Sequence, residues 1–305
     1  MEKHRKKLIK NAAVFDGHSS GLAQGKKIVS EDDIVTEITA DEVSEENFDE
    51  VFDGTGMVAM PGMTDAHVHM GCLFAKGEFP VDYATVLTVA KCKDALMAGF
   101  TTFRDAGSVS EGLKLAFDEG VLPGPRIYPC GAYISQTCGH GDSEYAHTYR
   151  DIQYRHPSST VLADGVPEII RAVREQFYRG ASHIKLMATE ILNRHEDIRL
   201  LFGTDMMITG PDYQVEQSED IRYYEKRFGT MRALRALTGT ANEVFALTTY
   251  QNPYPRGKIG VLEAGVYADL LLVDGDPTKR VSVLADTDHL RLIMKGGAVY
   301  KNTLC

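Results

Sequence analysis

The chain has 305 residues, a formal net charge of −10 at pH 7 and 43% hydrophobic residues. This length and apolar content suit one large globular domain, or a large domain with a smaller module. The acidic balance argues against nucleic-acid and membrane partners, because either would require a basic face, and it leaves small neutral, zwitterionic or cationic molecules open.

Cysteine usage and the N-terminus indicate a reducing compartment. The five cysteines are scattered without paired spacing, which argues against a disulfide framework and against a cysteine-type zinc site. Only Leu8 and Ile9 precede Lys10 after the basic start, so we expect no signal peptide, and no apolar run approaches membrane-spanning length. We therefore predict a cytoplasmic protein.

The two ends of the chain predict short β-strands, and the middle predicts alternating strands and helices. Gly and Asp turns separate the alternating runs at 7–15 and 51–60, and similar runs return at 258–261, 269–273, 290–294 and 298–300. From Pro61 onward we predict strands at 58–68, 100–103, 126–134, 182–188 and 198–204, with helices at 82–98, 110–119, 164–180 and 223–247. The apolar stripe expected on the third of these helices consists of Ile169, Ile170, Val173 and Phe177.

This order of elements predicts an α/β fold. A βαβα succession implies parallel strands with crossover helices. The simplest arrangement is a β-sandwich module built from residues 1–60 and 250–305, packed beside a (β/α) barrel domain at 61–249.

The stretch 60–69 carries the strongest chemical signal, because it places His67 and His69 at the end of an apolar strand. Residues i and i+2 of a strand point to the same side, so the two imidazoles could hold one metal ion. The alternative is a pair of histidines that hydrogen-bond to loop backbone.

Two further residues sit at the ends of predicted strands. Lys185 lies in a strand too apolar for an uncompensated ammonium, so it is either chemically altered or paired with an acid such as Glu190. Asp205 could contact a metal and move a proton, or could be an ordinary helix cap or salt-bridge partner. Arg104-Asp105 ends another strand; these residues can form ion pairs, and we expect an architectural rather than a catalytic role.

Five stretches together resemble the amidohydrolase superfamily, in the branch that includes dipeptidases and imidazolonepropionase-like proteins. They are residues 60–69, 99–107, 139–142, 184–189 and 202–205, followed by a long glycine-rich match at 257–277. The resemblance implies a TIM-like barrel flanked by a β-sandwich formed from both termini.

The resemblance also implies roles for single residues. His67 and His69 would bind a buried divalent metal, usually zinc, and Lys185 as a carbamate would bridge it to a second ion. Asp205 would be both metal ligand and proton shuttle, and His140 would contact the substrate. Metal-activated water would then cleave the C–N bond of a small amide.

The chain departs from the family pattern after Thr189. Two further strands, each with a metal-binding histidine, usually precede the aspartate strand, but here that strand begins about eight residues later. A complete barrel takes roughly 250 residues, so we predict an incomplete TIM-like barrel without its fifth to seventh strands. Neither His183 nor His195 is a convincing replacement ligand, which leaves a second metal site in doubt.

The predicted gap leaves two hypotheses. Five parallel strands cannot close a ring, so we expect direct pairing of the strands at Ile184 and Leu201, or association into a homo-oligomer. The first hypothesis is a metal-dependent amidohydrolase acting on a small-molecule substrate. The second is a truncated or inactive relative with a scaffold or oligomerisation role.

Overall fold

The computed structural model describes residues 5–70, 81–107, 109, 111–137, 139, 141–142, 160–187, 199–207 and 213–304. None of the helices in these ranges combines the length and the apolar character that crossing a bilayer would require. The strands in these ranges are β1 (Lys6–Lys10), β2 (Ala13–Val14), β3 (Lys27–Glu31), β4 (Ile34–Thr39), β5 (Glu50–Asp53), β6 (Val58–Pro61), β7 (Met63–His69), β8 (Phe100–Asp105), β9 (Arg126–Tyr128), β10 (Tyr133–Ser135), β11 (Thr160–Leu162), β12 (Met206–Met207), β13 (Val266–Tyr267), β14 (Leu270–Val273), β15 (Leu290–Lys295) and β16 (Ala298–Asn302).

The first three helices lie where the sequence predicts them, whereas the single helix predicted at 223–247 is divided into three. The helices in the same ranges are α1 (Val81–Met97), α2 (Glu111–Asp118), α3 (Val166–Tyr178), α4 (Tyr213–Phe228), α5 (Thr230–Leu237) and α6 (Gly239–Phe245). Short 3₁₀ turns occur at Glu45–Asn47, Ala246–Gln251, Val281–Ala285 and Thr287–His289. Strands and helices alternate in the middle of the chain, so the predicted α/β class is confirmed.

Strands from both ends of the chain form two five-stranded sheets. One has the order β13-β4-β3-β1-β5 and the other the order β16-β15-β14-β6-β2. Apolar side chains of both sheets share one core, to which β4 contributes Val35, β5 contributes Phe52 and β14 contributes Leu272. The two sheets therefore pack face to face, as expected of a sandwich. The domain limits at 60/61 and 249/250 remain a prediction.

A parallel sheet with the order β12-β7-β8-β9 lies beside the sandwich. The crossover helix α1 connects β7 to β8, and α2 connects β8 to β9, which is the predicted βαβ pattern. Phe103 and Ile127 pack on the helix side of this sheet with Leu96 of α1 and Phe117 of α2. The opposite face of the sheet is called the inner face below.

Beyond β9, neighbouring segments are joined by isolated backbone hydrogen bonds. The amide of Ser182 donates to the carbonyl of Pro129 at 2.8 Å, and the amide of Ile134 donates to Lys185 at 2.9 Å. Ile134 and Leu186 form an isolated parallel bridge. The neighbouring segments thus form one arc. Their order across it is 202–207, β7, β8, 126–135 and 182–187.

This arc forms open sheets, and no closed ring is present among the described residues. The expected pairing of Ile184 with Leu201 is wrong for these residues, since their segments lie at opposite ends of the arc. Instead, aromatic residues cover part of the inner face: Tyr128 of β9 stacks on Phe245 of α6 with ring centroids 3.8 Å apart, and Tyr254 packs against the edge of the Tyr128 ring. Whether barrel units are missing stays a prediction.

Helix α3 does not bury the stripe that its sequence predicts. Ala172 and Gln176 are its buried residues, whereas Ile169 and Ile170 are 37% and 44% exposed. The buried face is rotated towards the stretch 129–135, because Oε1 of Gln176 accepts a hydrogen bond from the amide of Ala132 at 2.8 Å. The prediction of a buried Ile169–Ile170 stripe was therefore wrong.

Buried polar contacts join the sandwich to the parallel sheet. Arg126 of β9 donates through Nε to Asp269 at 2.7 Å and through Nη2 at 3.2 Å. Both side chains are almost fully buried, and the carboxylate raises the pKa of Arg126 above its ordinary value despite the opposing effect of burial. Nζ of Lys295 in β15 donates to the carbonyl of Gly124, just before β9, at 2.6 Å.

We expect Arg126→Met to destabilise the protein by about 3–5 kcal/mol, because it leaves the Asp269 carboxylate buried without its cation. Urea unfolding should measure the loss. Arg222→Met is the matched control, since Arg222 belongs to an exposed pair with Glu219 and should change the free energy of unfolding by no more than about 0.5 kcal/mol. Equal stability of the two variants would contradict the assignment of Arg126 as a cross-link between the sheets.

Candidate metal site

The site begins with the end of β7. Val68 packs in the core on the helix side of the sheet, so His67 and His69 point to the inner face. A β-bulge between Asp65 and Val68 interrupts the pairing of β7 with β8. Bulges re-aim side chains at strand ends, and here the bulge turns the Asp65 carboxylate to the helix side while His67 remains on the inner face.

Backbone pairing brings Asp205 to the histidine strand. The amide of Ala66 donates to the carbonyl of Phe202 and the amide of Asp205 donates to the carbonyl of His67, both at 2.8 Å. Asp205 has a φ of 55°, a left-handed conformation that aspartate tolerates better than most residues. This turn directs the Asp205 carboxylate back over the end of β7.

Three side chains converge at this point. Nε2 of His67 lies 2.9 Å from Oδ1 of Asp205, and Nε2 of His69 lies 3.1 Å from the same oxygen. One ligand atom from each of the three residues lies within 4.8 Å of the others. Two imidazole nitrogens and a carboxylate oxygen form a donor set that suits zinc, so the residues present fit a divalent ion.

Burial and neighbouring charges also favour metal binding by His67. Burial lowers the pKa of His67 to about 4, and the nearby Lys185 charge acts in the same direction while Asp205 opposes it. The imidazole is therefore neutral at neutral pH, which is the form that ligates metals. The side chain of Asp205 is 71% exposed, so its carboxylate is accessible to water and to a bound molecule.

Lys185 reaches the same cluster from the far end of the arc. Its Nζ lies 3.0 Å from Nε2 of His67. As an ammonium, this group would repel a cation at the cluster, whereas a carbamate on the same nitrogen would offer oxygen ligands. The structure thus brings together the four predicted metal-site residues, whose roles remain predictions. The alternative partner Glu190 lies outside the described residues, as do His140 and His195.

The sequence did not single out four residues that hold the cluster in place, namely Asp65, Gly203, Thr204 and Gln217. The buried Asp65 carboxylate accepts hydrogen bonds from the His67 amide at 3.2 Å, from Oγ1 of Thr204 at 3.0 Å and from Nε2 of Gln217 at 3.2 Å. At Gly203, a Cβ atom would lie 2.7 Å from Cβ of His67. Asp65 stands two residues before His67, and Gly203 stands two residues before Asp205, both inside the motifs that carry the family resemblance. That position was the sequence signal that could have identified them.

Arg104 and Asp105 do not pair with each other. Asp105 accepts hydrogen bonds from the amides of Met70 and Val109, both at 3.1 Å. Arg104 lies on the inner face and donates to the carbonyl of Ala66 at 3.4 Å. Successive strand residues point to opposite faces of a sheet, which separates the two side chains.

Comparisons with known proteins agree on one family. Residues 58–197 match the model of the amidohydrolase family. Ochratoxinase from Aspergillus niger is 34% identical over 152 residues, a match that covers 43% of this chain and 31% of the relative. This chain therefore spans about a third of the length of that curated relative.

Solved structures extend the likeness over nearly the whole chain. An amidohydrolase structure aligns with a TM-score of 0.84 at 23% identity, covering 98% of this chain and 100% of the other. A prolidase complexed with N-methylphosphonate-L-proline aligns with a TM-score of 0.82 at 22% identity, covering 97% of this chain and 100% of the other. At these identities the alignments establish the fold.

We expect Gly203→Ala to weaken zinc binding by about 10-fold or more, because the new Cβ must displace His67 from Asp205. Calorimetric zinc titration measures this loss. Gly112→Ala is the matched control, since a Cβ at Gly112 meets nothing within 4 Å, and it should bind zinc as the unmodified protein does. Unchanged zinc affinity in Gly203→Ala would contradict the tight approach to His67.

The buried Asp105 should make stability depend on pH. Burial raises the pKa of Asp105 to about 6, so the folded protein holds this proton more tightly than the unfolded chain does. The resulting stabilisation is complete below about pH 4 and is lost as the pH rises through about 6, with a size of about 3 kcal/mol. Asp105→Asn lacks this titration. If the unfolding free energy of the unmodified protein is subtracted from that of Asp105→Asn, the difference should therefore rise by that amount between about pH 4 and about pH 7. A flat difference in urea titrations would refute it.

Proposed function

Because the chain belongs to the amidohydrolase superfamily, we propose that it hydrolyses an amide or peptide-like C–N bond of a small molecule. The proposal includes a divalent metal, with zinc as the expected ion, at the cluster of His67, His69 and Asp205. The observation that carries it is the convergence of both imidazoles on one carboxylate oxygen, at 2.9 and 3.1 Å. The similarity to ochratoxinase and to a prolidase supports amide hydrolysis as the reaction class.

The donor set and its surroundings suit this chemistry. A bound divalent ion would polarise a carbonyl group and lower the pKa of a water molecule. His67 and His69 would hold that ion from the buried side of the site. Asp205, at 71% side-chain exposure, would accept a proton from the attacking water and return it to the leaving amine.

We assign Lys185 the role of a carbamate ligand. Its ammonium would lose one proton, and the resulting neutral amine would add carbon dioxide and release a second proton, which replaces the positive charge 3.0 Å from His67 with a negative one. A second metal ion could then share this group, although no further histidine ligand for it occurs among the described residues. His140 as a substrate contact, a homo-oligomeric state and a cytoplasmic location are kept in the proposal as predictions from the sequence.

We expect protein reconstituted with zinc to retain about one equivalent after dialysis and to hydrolyse at least one member of a dipeptide and N-acyl amino acid panel. His67→Ala and Asp205→Asn should lower the metal content below about half an equivalent and the rate by about 100-fold or more. Elemental analysis and amine release measure the two quantities.

His18→Ala is the control for these variants, because His18 lies exposed in a bend after β2, and it should change neither quantity. Less than about half an equivalent of zinc in the unmodified protein, together with no turnover on the panel, would defeat the proposal. That result would favour the scaffold alternative.

A further inference from the structure

Arg104 is a partly buried cation beside the metal cluster, and the proposed chemistry does not use it. Its side chain leaves β8 on the inner face, the face that also carries His67 and His69. The guanidinium donates to the carbonyl of Ala66, the residue before His67, at 3.4 Å. This is a long bond, and it occupies one of five N–H donors.

No carboxylate of a described residue pairs with Arg104. The neighbouring Asp105 points to the opposite face and binds backbone amides. Burial of the guanidinium lowers the pKa of Arg104, yet an arginine stays charged in proteins. Buried charges are normally paired, and Arg126 on the adjacent β9 follows that rule through its two bonds to Asp269.

The surroundings of Arg104 offer further polar groups without partners. Thr102 shares the inner face of β8 with Arg104, and Thr64 lies opposite Thr102 in the β7–β8 register. Both hydroxyls are buried and make no hydrogen bond with a described residue. The Arg104 side chain itself is only partly buried by surface area, so a ligand at the site can reach it.

The balance of charge on this face favours an anion. Arg104 is positive, whereas Asp205 and the carbamate proposed on Lys185 are negative. A divalent ion would add two positive charges and make the sum positive, and an anionic ligand would offset it.

We propose that Arg104 binds a carboxylate of the molecule held at the cluster and thereby determines specificity for amides that carry a free acid group. Such ligands are N-acyl amino acids and dipeptides, in contrast to neutral amides. A guanidinium pairs with a carboxylate through two parallel N–H···O bonds. That the bound molecule is a substrate rests on the proposed function. Binding of its carboxylate by Arg104 does not require turnover.

The test measures binding of two probes by calorimetry, with zinc-reconstituted and with metal-free protein. The probes are N-acetyl-L-phenylalanine, which carries a free carboxylate, and its N-methylamide, which does not. The unmodified protein should bind the acid at least about 10-fold more tightly than the N-methylamide. Arg104→Met should reduce this preference to less than about 2-fold, and Arg104→Lys should give an intermediate value.

Two controls separate recognition from a structural role. Arg104→Met should fold with a melting temperature equal to or above that of the unmodified protein, because no buried partner loses its cation. Arg171→Met, on the exposed side of α3, should keep the full preference for the acid.

Equal binding of both probes by the unmodified protein, or no saturable binding of the acid up to about 10 mM, overturns the proposal. An unchanged preference in Arg104→Met also overturns it. A protein that prefers the acid but hydrolyses no amide would instead refute the proposed function while Arg104 keeps its role.

Discussion

The candidate site depends on the parallel alignment of the segment 202–207 with β7. These two pieces of chain are more than a hundred residues apart in sequence, and their backbone bonds place Asp205 directly over the histidines. The alignment needs a residue without a side chain at Gly203, where the two backbones approach most closely. It also needs Asp65, whose carboxylate gathers donors from β7, from Thr204 and from helix α4.

Local signals in the sequence were sufficient for most of the fold. Periodicity and turn residues placed β8, α1 and α2 within a few residues of their observed limits, because each of these elements is specified by its own pattern of apolar residues. The single strand predicted at 58–68 is instead divided at Gly62 into β6 and β7, which belong to different sheets. The strand-end motifs also identified the residues that meet at the cluster. The elements and the motif residues could be predicted because each is specified by a short stretch of chain.

Long-range packing was where the sequence was insufficient. The stripe on α3 follows helical spacing, yet Gln176 is the residue that packs inward, because its amide bonds to Ala132. The covering of the inner face by Tyr128, Phe245 and Tyr254 could not be inferred either, since these aromatic residues come from separate elements. The separate partners of Arg104 and Asp105 could not be inferred either: the two residues are adjacent in sequence but point to opposite faces of the sheet, and each binds groups from other segments.

The direct connection between the sandwich and the metal cluster has a mechanical consequence. Strand β6 belongs to the sandwich, and a single residue, Gly62, separates it from β7, while Arg126 and Lys295 join the same two bodies at β9. A hinge between them would have to bend the chain at Gly62 and break the buried bonds of Arg126 and Lys295. The sandwich therefore serves as a rigid mount for the imidazoles.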